Sequence, residues 1–335
     1  MLLALLVLVL PFSCRKLEPE TDILEAGEGA VCWMSELADD TPLARLSIPG
    51  AHDAASATIS AWPAWTRTQE KSIAGLWNCG VRAFDLRPAL SGGQLGLYHD
   101  KYSAGLSLSE ALQTLLLALE RHPGECAIVL IRHEAEADGN DPRWKDAMGS
   151  CLKGIASRLA PYREGITLGE LRGRILVLSR QEYTDGPFGG YIRNWSSQPR
   201  LAEQKGASVV DGAGNASPLW VQDFYHPEGE TDKWAAVQGL WDEMAAQTAC
   251  PLVINHCSAY VGTLPDYRAN ARNINARAAA YIASRDTPAG IVMMDFAGIS
   301  RSRGVPVAGD TLLQALIGHH FEKSDRMHTF VQGEK

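Results

Sequence analysis

The chain is poor in the features that mark most binding classes. Charged residues fill 21% of its 335 positions, aromatic residues 7%, and the net charge is −8. No block of Lys and Arg occurs, nor a basic stripe interleaved with aromatics. Nucleic acid is therefore not an expected partner, and any lipid contact must come from apolar side chains or an anchor rather than a polybasic patch. The apolar run at residues 1–10 falls well short of the roughly 20 residues needed to cross a bilayer. There is also no internal repeat, low-complexity tract or linker that would split the chain. One large domain of α/β-barrel size is expected.

Cysteine is scarce and badly spaced for zinc, with seven residues and no paired ligand motif. One of them, Cys14, ends Pro11-Phe-Ser-Cys14, directly after the apolar run. A small residue before Cys has the form of a bacterial lipoprotein cleavage site, although no Lys or Arg precedes the run. Residues 1–14 thus read as an export signal, with Cys14 either lipidated or close to a plain secretory cut. Residues 15–30 form a polar tether, 31–325 the folded body and 326–335 a polar tail. The location expected is the cell envelope or the secreted fraction. Six other cysteines would permit disulfides there, but Cys126 and Cys257 lie in or beside apolar runs where buried free thiols serve equally.

What the chain does have is an alternation of short apolar strands and amphipathic helices. Strands are expected over 43–48, 81–86, 94–98, 127–132, 175–179, 220–222, 252–255 and 290–294, and helices over 108–121, 142–159, 232–247, 271–285 and 311–321. Ala127-Ile-Val-Leu-Ile131 is a continuous β-branched run, suited to a strand covered on both faces. Eight strands with helical connections predict a single distorted (β/α)8 barrel of the TIM type. Only residues 88–93 separate the second and third strands, too few for a crossover helix, so either these two pair as a hairpin or one barrel helix is missing.

In such a barrel the active site sits at the C-terminal strand ends, and there the polar residues gather. Ser47-Ile-Pro-Gly-Ala-His52-Asp53 ends the first strand on a Pro-Gly turn. Asp85 and Arg87 end the second, His99-Asp100 the third, and Arg132 with Glu134 the fourth. Arg180, Asp223 with Tyr225, and Asp295 follow at later strand ends. Two histidines, an arginine and carboxylates, with no metal-ligand cluster, suit phosphodiester cleavage by general acid–base catalysis. One imidazole removes a proton from a hydroxyl, the other protonates the leaving oxygen, and a guanidinium neutralises the growing phosphate charge.

The same residues carry a resemblance. Leu43-Ala-Arg-Leu-Ser-Ile-Pro-Gly-Ala-His-Asp53, Thr68-Gln-Glu70, Val81-Arg-Ala-Phe-Asp-Leu-Arg87 and Tyr98-His99 resemble the X-region signature of bacterial phosphatidylinositol-specific phospholipase C. Ile128 to Glu134, Arg174 to Arg180, Val221 to Tyr225 and Gly290 to Asp295 extend it over about residues 33–321. The resemblance implies that His52 is the general base, oriented by Asp295, and His99 the general acid, supported by Asp53. Arg87 would stabilise the phosphate. Arg132, Glu134, Arg180, Asp223 and Tyr225 would bind the inositol ring, with Arg132 where bacterial relatives usually have Lys. It also implies no metal and no cofactor: Arg87 stands where calcium-dependent relatives hold Ca²⁺, with Asp85 and Asp100 the only spare carboxylates. Asp100 departs from the small residue usual after the second histidine and adds negative charge beside it.

The reading is a monomeric exported phosphatidylinositol diacylglycerol-lyase working at a membrane surface and releasing inositol 1,2-cyclic phosphate. The loop Trp62-Pro-Ala-Trp65 would either touch the interface or form a structural tryptophan pair. The alternatives are a phosphodiesterase for another head group or a glycosyl-phosphatidylinositol anchor, and a non-catalytic inositol-binding surface protein.

Overall fold

The computed structural model describes residues 32–59, 64–248, 250–262 and 266–321. The stretches expected to be an export signal, with Cys14, a polar tether and a polar tail, together with Trp62, lie outside these residues. The first strands in chain order are β1 (Ser47–Ala51), β2 (Ala83–Leu86), β3 (Pro88–Ser91), β4 (Gln94–His99), β5 (Tyr102–Ser107) and β6 (Ala127–Ile131). Then come β7 (Ile175–Ser179), β8 (Gly190–Arg193), β9 (Ala207–Val210), β10 (Ala216–Gln222), β11 (Leu252–His256) and β12 (Gly290–Met294). A closed barrel runs β1-β12-β11-β10-β9-β8-β7-β6-β2, with β9 antiparallel to both neighbours and every other pairing parallel. The β3, β4 and β5 strands form a separate antiparallel sheet.

The architecture is the expected distorted α/β barrel, with three differences in detail. The strand expected over 94–98 is not a barrel stave. After Arg87 the chain turns directly into the β3–β4 hairpin, because no residues are available for a crossover. Two staves, β8 and β9, were not anticipated; four residues each, they carry too little pattern to stand out. Finally, Pro49-Gly50 is not a turn but the middle of β1. Pro49 precedes the first β1–β2 pair, Gly50 with Ala83, so its missing N–H breaks no rung of that ladder. A Cβ at Gly50 would lie 2.4 Å from the Met293 sulfur and 3.1 Å from the Val292 carbonyl oxygen, so a side chain there would force Met293 to repack.

Each strand feeds two layers. Ile48, Ala83, Ile128, Leu130, Leu176, Leu178, Leu219, Val221, Ile254, Ile291 and Met293 fill the barrel interior. The alternate residues, such as Phe84, Val129, Val177 and Val292, pack outward against Leu112 and Leu115 of α2 (Leu108–Arg121) and Trp241 of α7 (Glu230–Ala245), counting helices from α1 (Ile73–Cys79). α2 begins at a capping box in which Ser107 and Glu110 satisfy each other's backbone N–H groups. The six described cysteines are free thiols. Among the described residues no helix is long and apolar enough to cross a membrane.

Candidate active site

The period-two alternation of the barrel strands explains where the site residues point. In β2, Ala83 faces the interior, so Asp85 faces it one layer higher and Arg87 above that. The same parity carries Ile48 and Gly50 to His52, Ile128 and Leu130 to Arg132, and Leu176 and Leu178 to Arg180. It carries Leu219 and Val221 to Asp223, Leu252 and Ile254 to His256, and Ile291 and Met293 to Asp295. Below the mouth these positions are apolar. At the mouth they become polar, around an open cavity of about 510 Å³.

His52, Arg87, His99, Arg132, Glu134, Arg180, Asp223 and Tyr225 line this cavity, while Asp53 and Asp295 stand behind the histidines. His52 and Asp53 diverge because Asp53 adopts φ +45°, a left-handed conformation that Asp tolerates better than most residues. His52 Nδ1 lies 2.7 Å from Asp295 Oδ1. Asp53 reaches instead to His99 Nδ1. His99 arrives from the end of β4, so the side sheet, not a stave, completes the constellation.

Arg87 joins the two halves. Its Nε and Nη2 donate to Asp85 Oδ2 at 3.1 and 2.9 Å, and the Asp53 N–H donates to the same oxygen at 3.0 Å. Arg87 Nη2 also lies 2.6 Å from His52 Nε2. A guanidinium can only donate. His52 Nε2 must therefore accept, which puts the imidazole proton on Nδ1, facing Asp295. Burial opposes the charges here, but Arg87 and His52 hold the Asp85 carboxyl far below the usual carboxylate range, and Asp85 and Asp53 raise Arg87 in return. Burial likewise works against Asp53, which Arg87 and His99 nevertheless hold low. Asp295 goes the other way: burial raises it despite its bond to His52.

The far wall is set by Arg180, whose guanidinium lies 4.3 Å from the Trp195 ring centre, and by Asp223, which accepts from Trp195 Nε1 at 2.8 Å. Burial lowers Arg180 to about 10, and it raises the Glu134 carboxyl, whose Oε1 lies 3.8 Å from Arg132 Nη2. Tyr225 stands half exposed on the rim. Among the described residues no group of three or more His, Cys, Asp or Glu could hold a metal ion.

Sequence reasoning missed His256. It lines the cavity at the end of β11, its ring centre 6.0 Å from that of His52. The apolar pattern ends this strand at Asn255, one residue short of its observed end; the parity of Leu252 and Ile254 points to His256. Trp195, in the loop after β8, had no such signal. Gln69, the middle residue of Thr68-Gln-Glu70, has a positioning role that the motif alone does not show: its amide donates to the His52 and Met294 carbonyls at 2.9 and 2.8 Å and fixes the end of β1 against that of β12.

No family model matches the chain. It is 29% identical over 242 residues to a 1-phosphatidylinositol phosphodiesterase of Listeria monocytogenes, a match covering 68% of each chain. Against a 1-phosphatidylinositol phosphodiesterase of Staphylococcus aureus it is 28% identical over 166 residues, 44% of this chain and 50% of that protein. A human PI-PLC X domain-containing protein 1 is 29% identical over 186 residues, 45% of this chain and 56% of the relative. The fold matches a solved structure of the Staphylococcus aureus phosphatidylinositol-specific phospholipase C with a TM-score of 0.71 at 21% identity, over 85% of this chain and 97% of that one. The Listeria monocytogenes enzyme matches with a TM-score of 0.65 at 24% identity, over 87% and 98%.

Proposed function

This chain is a distant homologue, over most of its length, of the bacterial phosphatidylinositol-specific phospholipase C family, and we propose that it cleaves phosphatidylinositol to diacylglycerol and inositol 1,2-cyclic phosphate. The observation that carries the reading is the contact between Arg87 Nη2 and His52 Nε2. It leaves His52 neutral on its cavity-facing nitrogen, as a general base must be, with a phosphate-binding guanidinium beside it.

In the proposed reaction the inositol 2-hydroxyl displaces Arg87 Nη2 from His52 Nε2, which takes the hydroxyl proton while the oxygen bonds to phosphorus. The bond from phosphorus to the glycerol oxygen breaks, and His99 Nε2 supplies that oxygen with a proton. Arg87 donates N–H groups to the phosphate oxygens as their charge grows. Asp295 and Asp53 hold the two rings through Nδ1 and stabilise whichever ring carries the extra proton. Glu134, Arg132, Arg180, Asp223 and Tyr225 would bind the polyol. Trp65 and Tyr225, the exposed large apolar side chains among the described residues, stand at the cavity and suit contact with a lipid surface.

Phosphorus NMR of the reaction with phosphatidylinositol vesicles in EDTA tests activity, product and metal need together. The expected outcome is the cyclic phosphate resonance, undiminished by the chelator. No turnover overturns the reading, and turnover that calcium must restore overturns the metal-independent mechanism.

A further inference from the structure

We infer that His256 is a specificity-determining residue, its Nε2 accepting a hydrogen bond from the 3-hydroxyl of the inositol ring. The inference rests on the phosphatidylinositol reading above and adds a contact to it. His256 is 4% exposed and lines the cavity, yet its Nε2 is buried without a hydrogen-bond partner. A buried polar atom left unpaired is costly, and in a cavity wall the natural partner is a ligand.

The protonation of the ring follows from its neighbours. Nδ1 lies 3.2 Å from Ser258 Oγ, which can accept as well as donate, and the negative charge of Asp223, its Oδ1 3.7 Å from Nδ1, favours the imidazole proton on Nδ1. That makes Nε2 the acceptor. Burial lowers the ring to about 4, keeping it neutral at physiological pH. An unpaired neutral acceptor calls for a donor, and a polyol hydroxyl is one.

The choice of hydroxyl comes from the position of His52. With the 2-hydroxyl on His52, the ring carbons on either side are C1, which bears the phosphate, and C3, which bears a hydroxyl. The two imidazoles pack edge-on with their centres 6.0 Å apart, which sets His256 beside the base and makes the hydroxyl on C3, one carbon from the 2-hydroxyl, the partner we assign to it.

His256 is also rigidly held. The Gln222 amide donates to the His256 carbonyl at 2.7 Å and to Asn255 Oδ1 at 2.8 Å. Gln222 Oε1 in turn accepts from the Phe224 N–H at 2.7 Å and from the ammonium of Lys233, a fully buried residue of α7, at 3.1 Å. Lys233 also donates to the Phe224 carbonyl at 2.9 Å. One buried polar chain therefore ties the ends of β10 and β11, and with them Asp223 and His256, to a single helix.

The test uses His256→Phe, which keeps the bulk and removes the acceptor, and His256→Gln, whose amide oxygen replaces it. With phosphatidylinositol, H256F is expected to lose about tenfold in kcat/KM, the worth of one neutral hydrogen bond, and H256Q to recover most of it. With 3-deoxy-phosphatidylinositol, wild type and H256F should be equal. An equal fall on both substrates overturns the inference. Histidine ring nitrogen resonances followed during titration with myo-inositol separate the two levels of the argument. Shifts at His52, His99 and His256 support the contact. Shifts at the first two without the third refute it and leave the cleavage reading standing, and shifts at none of the three refute both.

Discussion

Arg82 and Arg87 flank the same four-residue strand, β2, and end in opposite situations. At the lower end Arg82 donates to Glu125 at 2.9 Å and to the Trp77 and Val81 carbonyls at 3.0 and 2.8 Å, with its guanidinium 3.8 Å from the Trp77 ring centre. Glu125 also accepts from the Ser35 N–H and hydroxyl, both at 2.8 Å, and neither ion-pair partner reaches solvent. At the upper end Arg87 shares one oxygen of Asp85 with the Asp53 backbone and turns Nη2 toward a histidine at the cavity. The lower pair is saturated by the protein itself and can only hold the fold together. The upper pair keeps a donor at the cavity, which a phosphate can use.

The contrast can be broken most sharply at the histidines. His52→Ala and His99→Ala should each lower the rate of cyclic phosphate release by about 10²–10⁴-fold, with circular dichroism and thermal unfolding little changed. Next, Arg87→Met should cost about 10²–10³-fold in kcat, with a smaller loss of melting temperature than at Arg82, because Asp85 keeps the Asp53 N–H and stands at the open cavity. Arg82→Met should do the reverse, destabilising the fold by about 3–5 kcal/mol because Glu125 is left as an unpaired buried charge; denaturant titration measures it. If Arg82→Met unfolds no more easily than Arg87→Met, the division between the two ends is wrong.

Smaller effects sharpen it through pH. The His256 ring titrates at about 4 when folded and at about 6.5 in the unfolded chain. Between those values the unfolded state binds a proton that the folded state refuses, so stability falls as pH drops through that window. The slope at its centre is up to about 1.4 kcal/mol per pH unit, and His256→Gln should flatten the curve of unfolding free energy against pH by that contribution. The smallest effect is expected at Glu134, whose raised folded pKa means that the charged form is penalised. Its contribution is favourable below the unfolded carboxylate pKa and is lost as pH rises through the folded one. Glu134→Gln should therefore raise the melting temperature slightly at pH 7 and leave it unchanged well below pH 4.

The mouth was more legible than the barrel wall. Residues at the C-terminal ends of strongly apolar strands, such as Asp85 after Ala83 or Arg180 after Leu178, can be placed from the two-residue period, since one face of such strands must be buried. The same rule points to His256 once β11 is allowed its full length. β8 and β9 were hidden because four residues of mixed character set no period. The side sheet was half visible: six residues between 88 and 93 forbid a crossover helix but do not say which strand leaves the barrel. Pro49-Gly50 misled for a physical reason. The pair usually breaks a strand, but here the β1–β2 ladder starts after Pro49, and the missing side chain at Gly50 leaves the interior space to Met293.

By itself, then, the sequence determined the class of fold, the rim on which the chemistry gathers and the residue types found there, because strand period and burial are local properties of the chain. Which residues meet was decided only in three dimensions. His52 bonds to Asp295, 243 positions away, and its immediate neighbour Asp53 turns to His99. That exchange depends on a left-handed residue at 53, on the parallel register of β1 with β12, and on a side sheet folded over the mouth. None of these is a property of a short stretch of sequence, since each is fixed by strand pairing across the whole barrel.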